Sequence, residues 1–175
     1  LPGDSSGAAT AINNRGQVVG ISGSCDQAVG RFTAAHMVLW DHGRAIPLHD
    51  LGGEAWNTPM AINRRGDIVG FANVPGGATP ATLHEHAFLR THDGVTIDLG
   101  TLPGDARSQA YAVNEHGQVV GMSCTIDYSN CRGFLWQHGV MTDLNTLVVS
   151  GDTGQILYAQ DINDFGQITG QAVDA

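Results

Sequence analysis

A chain of 175 residues with eight arginines, no lysine and a formal net charge of −9 presents an acidic surface. Such a surface repels phosphate backbones and anionic headgroups, which argues against nucleic acid and membrane surfaces as partners and leaves small neutral ligands, cations and other proteins. The 24 glycines and short alternating apolar runs favour an all-β protein, and no run approaches the roughly 18 consecutive apolar residues of a spanning helix. No charged-then-apolar leader is read in the sequence, so any export signal is expected either to have been removed or never to have belonged to this stretch.

The first strong signal is "AINNRGQVVG" at 11–20, an apolar run, a turn and a second apolar run. Asn-x-x-Gly is hairpin chemistry. The Asn side chain bonds amides ahead of it, and Gly16 supplies the positive φ that ends the turn. A third run, "HMVLW" at 36–40, is followed by the turn "DHG" and a fourth run ending in Asp-Leu at 50–51. The same order returns as "AINRRGDIVG" at 61–70, "HAFLR" at 86–90 and "VTIDL" at 95–99. It returns again as "AVNEHGQVVG" at 112–121, "RGFLW" at 132–136 and "VMTDL" at 140–144, and opens once more as "DINDFGQITG" at 161–170.

Asn13, Asn63, Asn114 and Asn163 therefore lie 50, 51 and 49 residues apart. Four strand-sized runs per period, joined mostly by hairpin-length turns, predict four-stranded antiparallel sheets stacked in the manner of β-propeller blades. One such sheet cannot cover its own apolar faces, so each copy needs the next. The expected organisation is a single repeat domain over 1–175, with repeats at about 1–53, 54–104, 105–151 and a partial 152–175, or about 3.5 blades.

"DLGTLPGD", "AVNEHGQVVG" and "HAFLR" resemble the bacterial extracellular HAF repeats, named for the triplet found here at His86, Ala87 and Phe88. The resemblance covers essentially the whole chain. The equivalent stretches His36-Met37-Val38 and Arg132-Gly133-Phe134 depart from the triplet, which weakens a chemical role for it. The resemblance implies secretion, to the extracellular space or periplasm, and a repeat fold; it implies little about activity.

Three groups of residues are candidates for chemistry. Asp4, Glu54, Asp105 and Asp152 each follow a glycine at one phase of the four repeats. Pseudo-symmetry could gather them in a ring or arc for Ca²⁺, or each could simply cap a local turn. Asp50, Asp98 and Asp143 pose the same choice. His36 and His86 occupy equivalent third-run positions and are the candidates for a general base, while His84 and His86 share a strand face as a local metal pair; His42, His92 and His138 recur in turns. Cys124 and Cys131 flank a segment able to fold back on itself and form a disulfide, or they remain two buried thiols, and Cys25 stands apart. No CxxC pair, nucleophile elbow, P-loop or dinucleotide fingerprint occurs. Trp40 and Trp136, at equivalent third-run positions, suit packing between repeats.

Two functions are expected to compete. One is a secreted repeat module binding a small neutral ligand or a protein. The other, by analogy of fold, is a calcium-dependent hydrolase of a small ester or lactone. The polar Asp161, Thr169 and Gln171 suggest a blunted last repeat, whereas Val18, Val19 and Ile21 suggest a sticky N-terminal repeat through which copies associate into a homo-oligomer.

Overall fold

The computed structural model describes residues 1–23, 35–53, 56–76, 84–149 and 154–174. Three four-stranded antiparallel sheets follow one another along the chain, each strand pairing with its sequence neighbour. The first contains β1 (Ser6–Ile12), β2 (Val18–Gly23), β3 (His36–Asp41) and β4 (Arg44–Leu48). The second contains β5 (Thr58–Ile62), β6 (Ile68–Asn73), β7 (Glu85–Arg90) and β8 (Thr96–Gly100). The third contains β9 (Arg107–Val113), β10 (Val119–Cys124), β11 (Cys131–Gln137) and β12 (Val140–Asp143), and runs into a 3₁₀ turn at Leu144–Leu147. A two-stranded sheet, β13 (Gln155–Ile162) and β14 (Ile168–Val173), ends the described chain. These strands coincide with the four runs read in each period.

Two glycines per repeat explain why the motif is so uniform. The turn glycines Gly16, Gly66, Gly117 and Gly166 have φ of 75°, 99°, 76° and 75°, a region that L side chains avoid. The second set, Gly20, Gly70, Gly121 and Gly170, lies opposite a β-bulge in the first strand of its sheet, where the register shifts. A Cβ on these glycines would fall 2.0, 2.1, 1.9 and 2.1 Å from the carbonyl oxygens of Ala8, Thr58, Gln109 and Tyr158. Only glycine lets the two backbones approach so closely.

The core lies between sheets. Val19, Met37 and Leu48 of the first sheet meet Ile68, Ala72 and Phe88 of the second. Val69, Ala87, Leu99 and Leu102 of the second meet Ala110, Val119 and Phe134 of the third. Ala112, Val120 and Leu144 of the third meet Ala159 and Ile162 of the last hairpin. Phe88 and Phe134 are fully buried, and each phenyl contributes on the order of 2 kcal/mol by leaving water. Each sheet thus finds its hydrophobic partner in its neighbour.

The N-terminal repeat departs from expectation in one respect. Successive strand residues face opposite sides of a sheet, so Val18 and Val19 cannot share a face. Val19 and Ile21 are buried, at 0% and 1% exposure, and Val19 belongs to the core shared with the second sheet. Val18 instead lines a shallow groove with Gly7, Ala8, Ala9 and Trp40. Trp136, the counterpart of Trp40, packs into the seam between the second and third sheets. At the other end Asp161, Thr169 and Gln171 are all exposed.

Candidate functional site

The four asparagines form a ladder that crosses the repeats. Within each turn the Asn Oδ1 accepts backbone amides: at Asn63 these are Gly66 and Asp67 at 3.0 and 2.9 Å, and at Asn114 they are His116 and Gln118, both at 3.0 Å. The Nδ2 group then reaches outward. Asn13 donates to the Asn63 carbonyl at 3.0 Å, Asn63 to the Asn114 carbonyl at 3.1 Å, and Asn114 to the Asn163 carbonyl at 3.1 Å. The second hydrogen of each amide goes to the side chain four residues on, which is Gln17, Asp67, Gln118 or Gln167. A parallel rung sits one residue later, where Arg64 N–H donates to Glu115 Oε1 at 2.7 Å and Glu115 N–H to Asp164 Oδ1 at 2.9 Å. These polar side chains serve both the turn and the seam between repeats.

Asp67 is the charged member of this ladder. Burial pushes its pKa up, but donors from Asn63, the His92 amide and ring, and Arg65 together outweigh burial and hold it at about 2. The His92 ring lies 3.0 Å from one carboxylate oxygen and Arg65 2.7 Å from the other.

Two of the carboxylates considered for calcium, Asp4 and Asp105, are engaged within their own repeats. Asp4 and Asp105 each close a Leu-Pro-Gly-Asp turn, their amides donating to Leu1 and Leu102 carbonyls at 3.0 Å, with Gly3 and Gly104 at positive φ. Asp4 accepts from Ser22 Oγ at 2.5 Å and faces His36 Nδ1 at 3.1 Å. The Ser22 hydroxyl and, after it, His36 hold its pKa below the ordinary value against partial burial. Asp105 receives Arg132 at 2.9 Å, and Arg132 also binds Asp143 at 3.0 Å. His36 and Arg132 occupy equivalent strand positions, so in the first and third repeats a carboxylate pairs with a nitrogen-bearing side chain of the third strand. Glu54 and Asp152 lie outside the described residues, as does Cys25. Among the described residues, no three His, Cys, Asp or Glu side chains gather as a metal site.

His86 pairs with Asp98 at 3.0 Å; burial raises the Asp98 pKa, but bonds from His86 and the Gly100 amide more than offset it. Asp50, Asp98 and Asp143 each accept the amide two residues on, from Gly52, Gly100 and Asn145, at 2.7, 2.8 and 2.9 Å. His42 and His138 occupy left-handed positions with φ of 47° and 51° in the β3–β4 and β11–β12 turns, each followed by a glycine. His84 precedes β7, and its backbone amide donates to Asn73 Oδ1 at 2.9 Å.

Among the described residues, one ion pair buried on both sides escapes the repeat pattern. Glu85, at 0% exposure, meets Arg107, at 4%, with Nη1 2.7 Å from Oε2 across the seam between the second and third sheets. Gln109 donates to the other carboxylate oxygen at 3.2 Å, Tyr111 hydroxyl donates to Gln109 at 3.1 Å, and Tyr128 hydroxyl bonds Glu85 directly. Tyr128 stands on the β10–β11 connection, which a Cys124–Cys131 disulfide closes with a Cα–Cα distance of 4.1 Å. Arg107 donates to the Ile126 carbonyl at 2.8 Å and lies under the Tyr128 ring, 4.9 Å from its centroid. Burial, then the hydrogen bond and charge of Glu85, push the Tyr128 phenol up to about 12. Burial also raises Tyr111, whose ring meets Tyr158 edge-on. The cluster is a satisfied polar clamp: guanidinium, amide and phenol neutralise one carboxylate.

No known protein family, curated protein or solved structure matches the chain.

Proposed function

We propose that the chain is a stretch of a secreted, β-propeller-like array whose function is to bind a protein or a small neutral ligand. The observation that carries this reading is the use to which the recurrent polar residues are put. Asn13, Asn63 and Asn114 tie each repeat to the next, and Asp4 and Asp105 pair with His36 and Arg132 on the third strands of their own repeats. These side chains build a scaffold, and a stacked scaffold presents extended faces and loop edges suited to recognition. Stacking of each first strand on the preceding sheet supports the blade-like arrangement, and the disulfide supports an oxidising compartment. We also propose that copies associate through the outer face of the first sheet, around Val18 and Trp40.

A panel of small esters and lactones, with and without millimolar calcium, tests the binding reading. The expected result is no turnover above background and no calcium shift in melting temperature. Turnover abolished by Asp105→Asn or His86→Ala would replace the reading with an enzymatic one. Light scattering tests the association: Val18→Asp is expected to give a folded monomer, and a wild-type chain that is already monomeric at micromolar concentration would refute it.

A further inference from the structure

We propose that the backbone amide of Asn14 and the side chain of Arg64, on the adjoining turns of the first two repeats, form a site for the carboxylate of an acidic side chain on a partner polypeptide. The argument comes from the residue that follows each ladder asparagine: Asn14, Arg64, Glu115 and Asp164. At the two later seams this residue reaches back and accepts the equivalent amide of the repeat before it. Glu115 Oε1 takes the Arg64 N–H at 2.7 Å, and Asp164 Oδ1 takes the Glu115 N–H at 2.9 Å. The chain seats a carboxylate of its own on that amide wherever the next repeat supplies one.

At the seam between the first and second repeats the pattern changes sign. Arg64 stands where the carboxylate would be, and a guanidinium only donates. The Asn14 N–H has no acceptor among the described residues, although Asn13 Oδ1 holds the Arg15 and Gln17 amides of the same turn at 3.0 and 3.1 Å. Among the described residues the Arg64 side chain has no hydrogen bond or ion pair either. Both residues are exposed, and they line one groove of about 230 Å³ together with Asn63, Val113 and Glu115.

Charge favours the same occupant. The chain carries −9 overall, yet Arg15, Arg64 and Arg65 fall on these two turns. Asp67 neutralises Arg65 at 2.7 Å, whereas Arg15 donates to the uncharged Arg65 carbonyl at 3.2 Å. Two guanidinium charges are thus left without a carboxylate among the described residues. Glu115, the carboxylate that lines the groove, is already engaged by the Arg64 amide. An incoming carboxylate that meets an amide and a guanidinium together makes charge-assisted hydrogen bonds to both. This proposal rests on reading the chain as a module that binds a protein, and it names the chemistry of one contact.

The probe is the acetylated and amidated tetrapeptide Asn-Glu-His-Gly, a copy of residues 114–117, whose glutamate does this work at the next seam. Nuclear magnetic resonance at low ionic strength follows the Asn14 amide of the labelled chain. Its proton is expected to move downfield saturably, with a dissociation constant of about 1–10 mM. The peptide with glutamine in place of glutamate is expected to bind at least about tenfold more weakly. Arg64→Gln should weaken binding by about the same factor without lowering the melting temperature, and Arg44→Gln, on β4, should leave it unchanged. Arg64→Glu should fill the rung from within, moving the Asn14 amide downfield before any peptide is added and preventing the peptide from binding. The proposal is overturned by an Asn14 amide that stays still up to about 50 mM peptide, by equal binding of the glutamine peptide, or by undiminished binding to Arg64→Glu. Acetate that binds as tightly as the peptide also overturns it, by assigning the site to small acids. The broader binding reading stands after each of these results, since turnover of an ester or lactone tests it separately.

Discussion

Replacing Asn63 with alanine tests the ladder at a buried central rung. The side chain is 5% exposed and makes four hydrogen bonds: from Gly66 and Asp67 amides at 3.0 and 2.9 Å, and to Asp67 Oδ2 and the Asn114 carbonyl at 2.9 and 3.1 Å. A net contribution of about 1 kcal/mol per bond, with buried partners left unsatisfied, puts the loss near 4 kcal/mol. Asn163→Ala removes similar turn bonds, from Phe165 and Gln167 amides at 3.0 Å, but at an exposed site where water replaces them. Its cost is expected near 1 kcal/mol. Asn63→Asp keeps the acceptor but aims a second carboxylate oxygen at Asp67 and at a carbonyl, so it should be no milder than alanine at neutral pH. Urea unfolding of the three variants measures the differences. Equal losses for Asn63→Ala and Asn163→Ala, within about 0.5 kcal/mol, would refute the view that the asparagines join repeats as well as forming turns.

Gly70→Ala should cost about 3 kcal/mol or prevent folding, because its Cβ would sit 2.1 Å from the Thr58 carbonyl oxygen, and the same urea curves report it. Folding lowers the Asp67 pKa from 3.8 to about 2, so the unfolded chain binds the extra proton as pH falls through that window. Stability should therefore be fully present above about pH 4 and drop by roughly 2 kcal/mol towards pH 2, a slope that Asp67→Asn removes. Cys131→Ser opens the loop closed by the bond to Cys124, seven residues away, and should cost about 2.5 kcal/mol on the loop-entropy account. In the same variant the Tyr128 phenol, now at about 12, should move down towards its ordinary value of 10 in an ultraviolet titration.

The sequence made the strands legible because two signals agreed at every repeat: hydrophobic runs of strand length and an Asn-x-x-Gly turn at constant phase. Asn13 and Gly16 could be read as a turn from local chemistry alone. The outward reach of the asparagine amide was not legible, since Asn13 and Asn63 become neighbours only once the sheets stack. The bulges opposite Gly20 and Gly70 were hidden for the same reason; a recurring glycine signals a close approach without saying to what. Comparing repeats also drew attention to Asp4, Asp105, His36 and His86, whose recurrence reflects turns and pairs within single repeats. It missed Glu85, whose counterparts are Ala35 and Cys131, and Arg107, whose counterpart is Ser6. A clamp made once, at one seam, leaves no periodic trace. The remaining misreading, Val19 and Ile21 as a sticky face, came from grouping residues by sequence proximity when strand alternation sends Val18 and Val19 to opposite sides.

The central claim is that the recurring asparagines hold successive β-sheets together as one array. Hydrogen exchange of their side-chain amides, followed by NMR on uniformly labelled protein, tests it most directly. The account predicts slow exchange for Asn13, Asn63 and Asn114, which donate across seams, and fast exchange for the exposed Asn163. Fast exchange at Asn63 and Asn114 in the folded chain would contradict it.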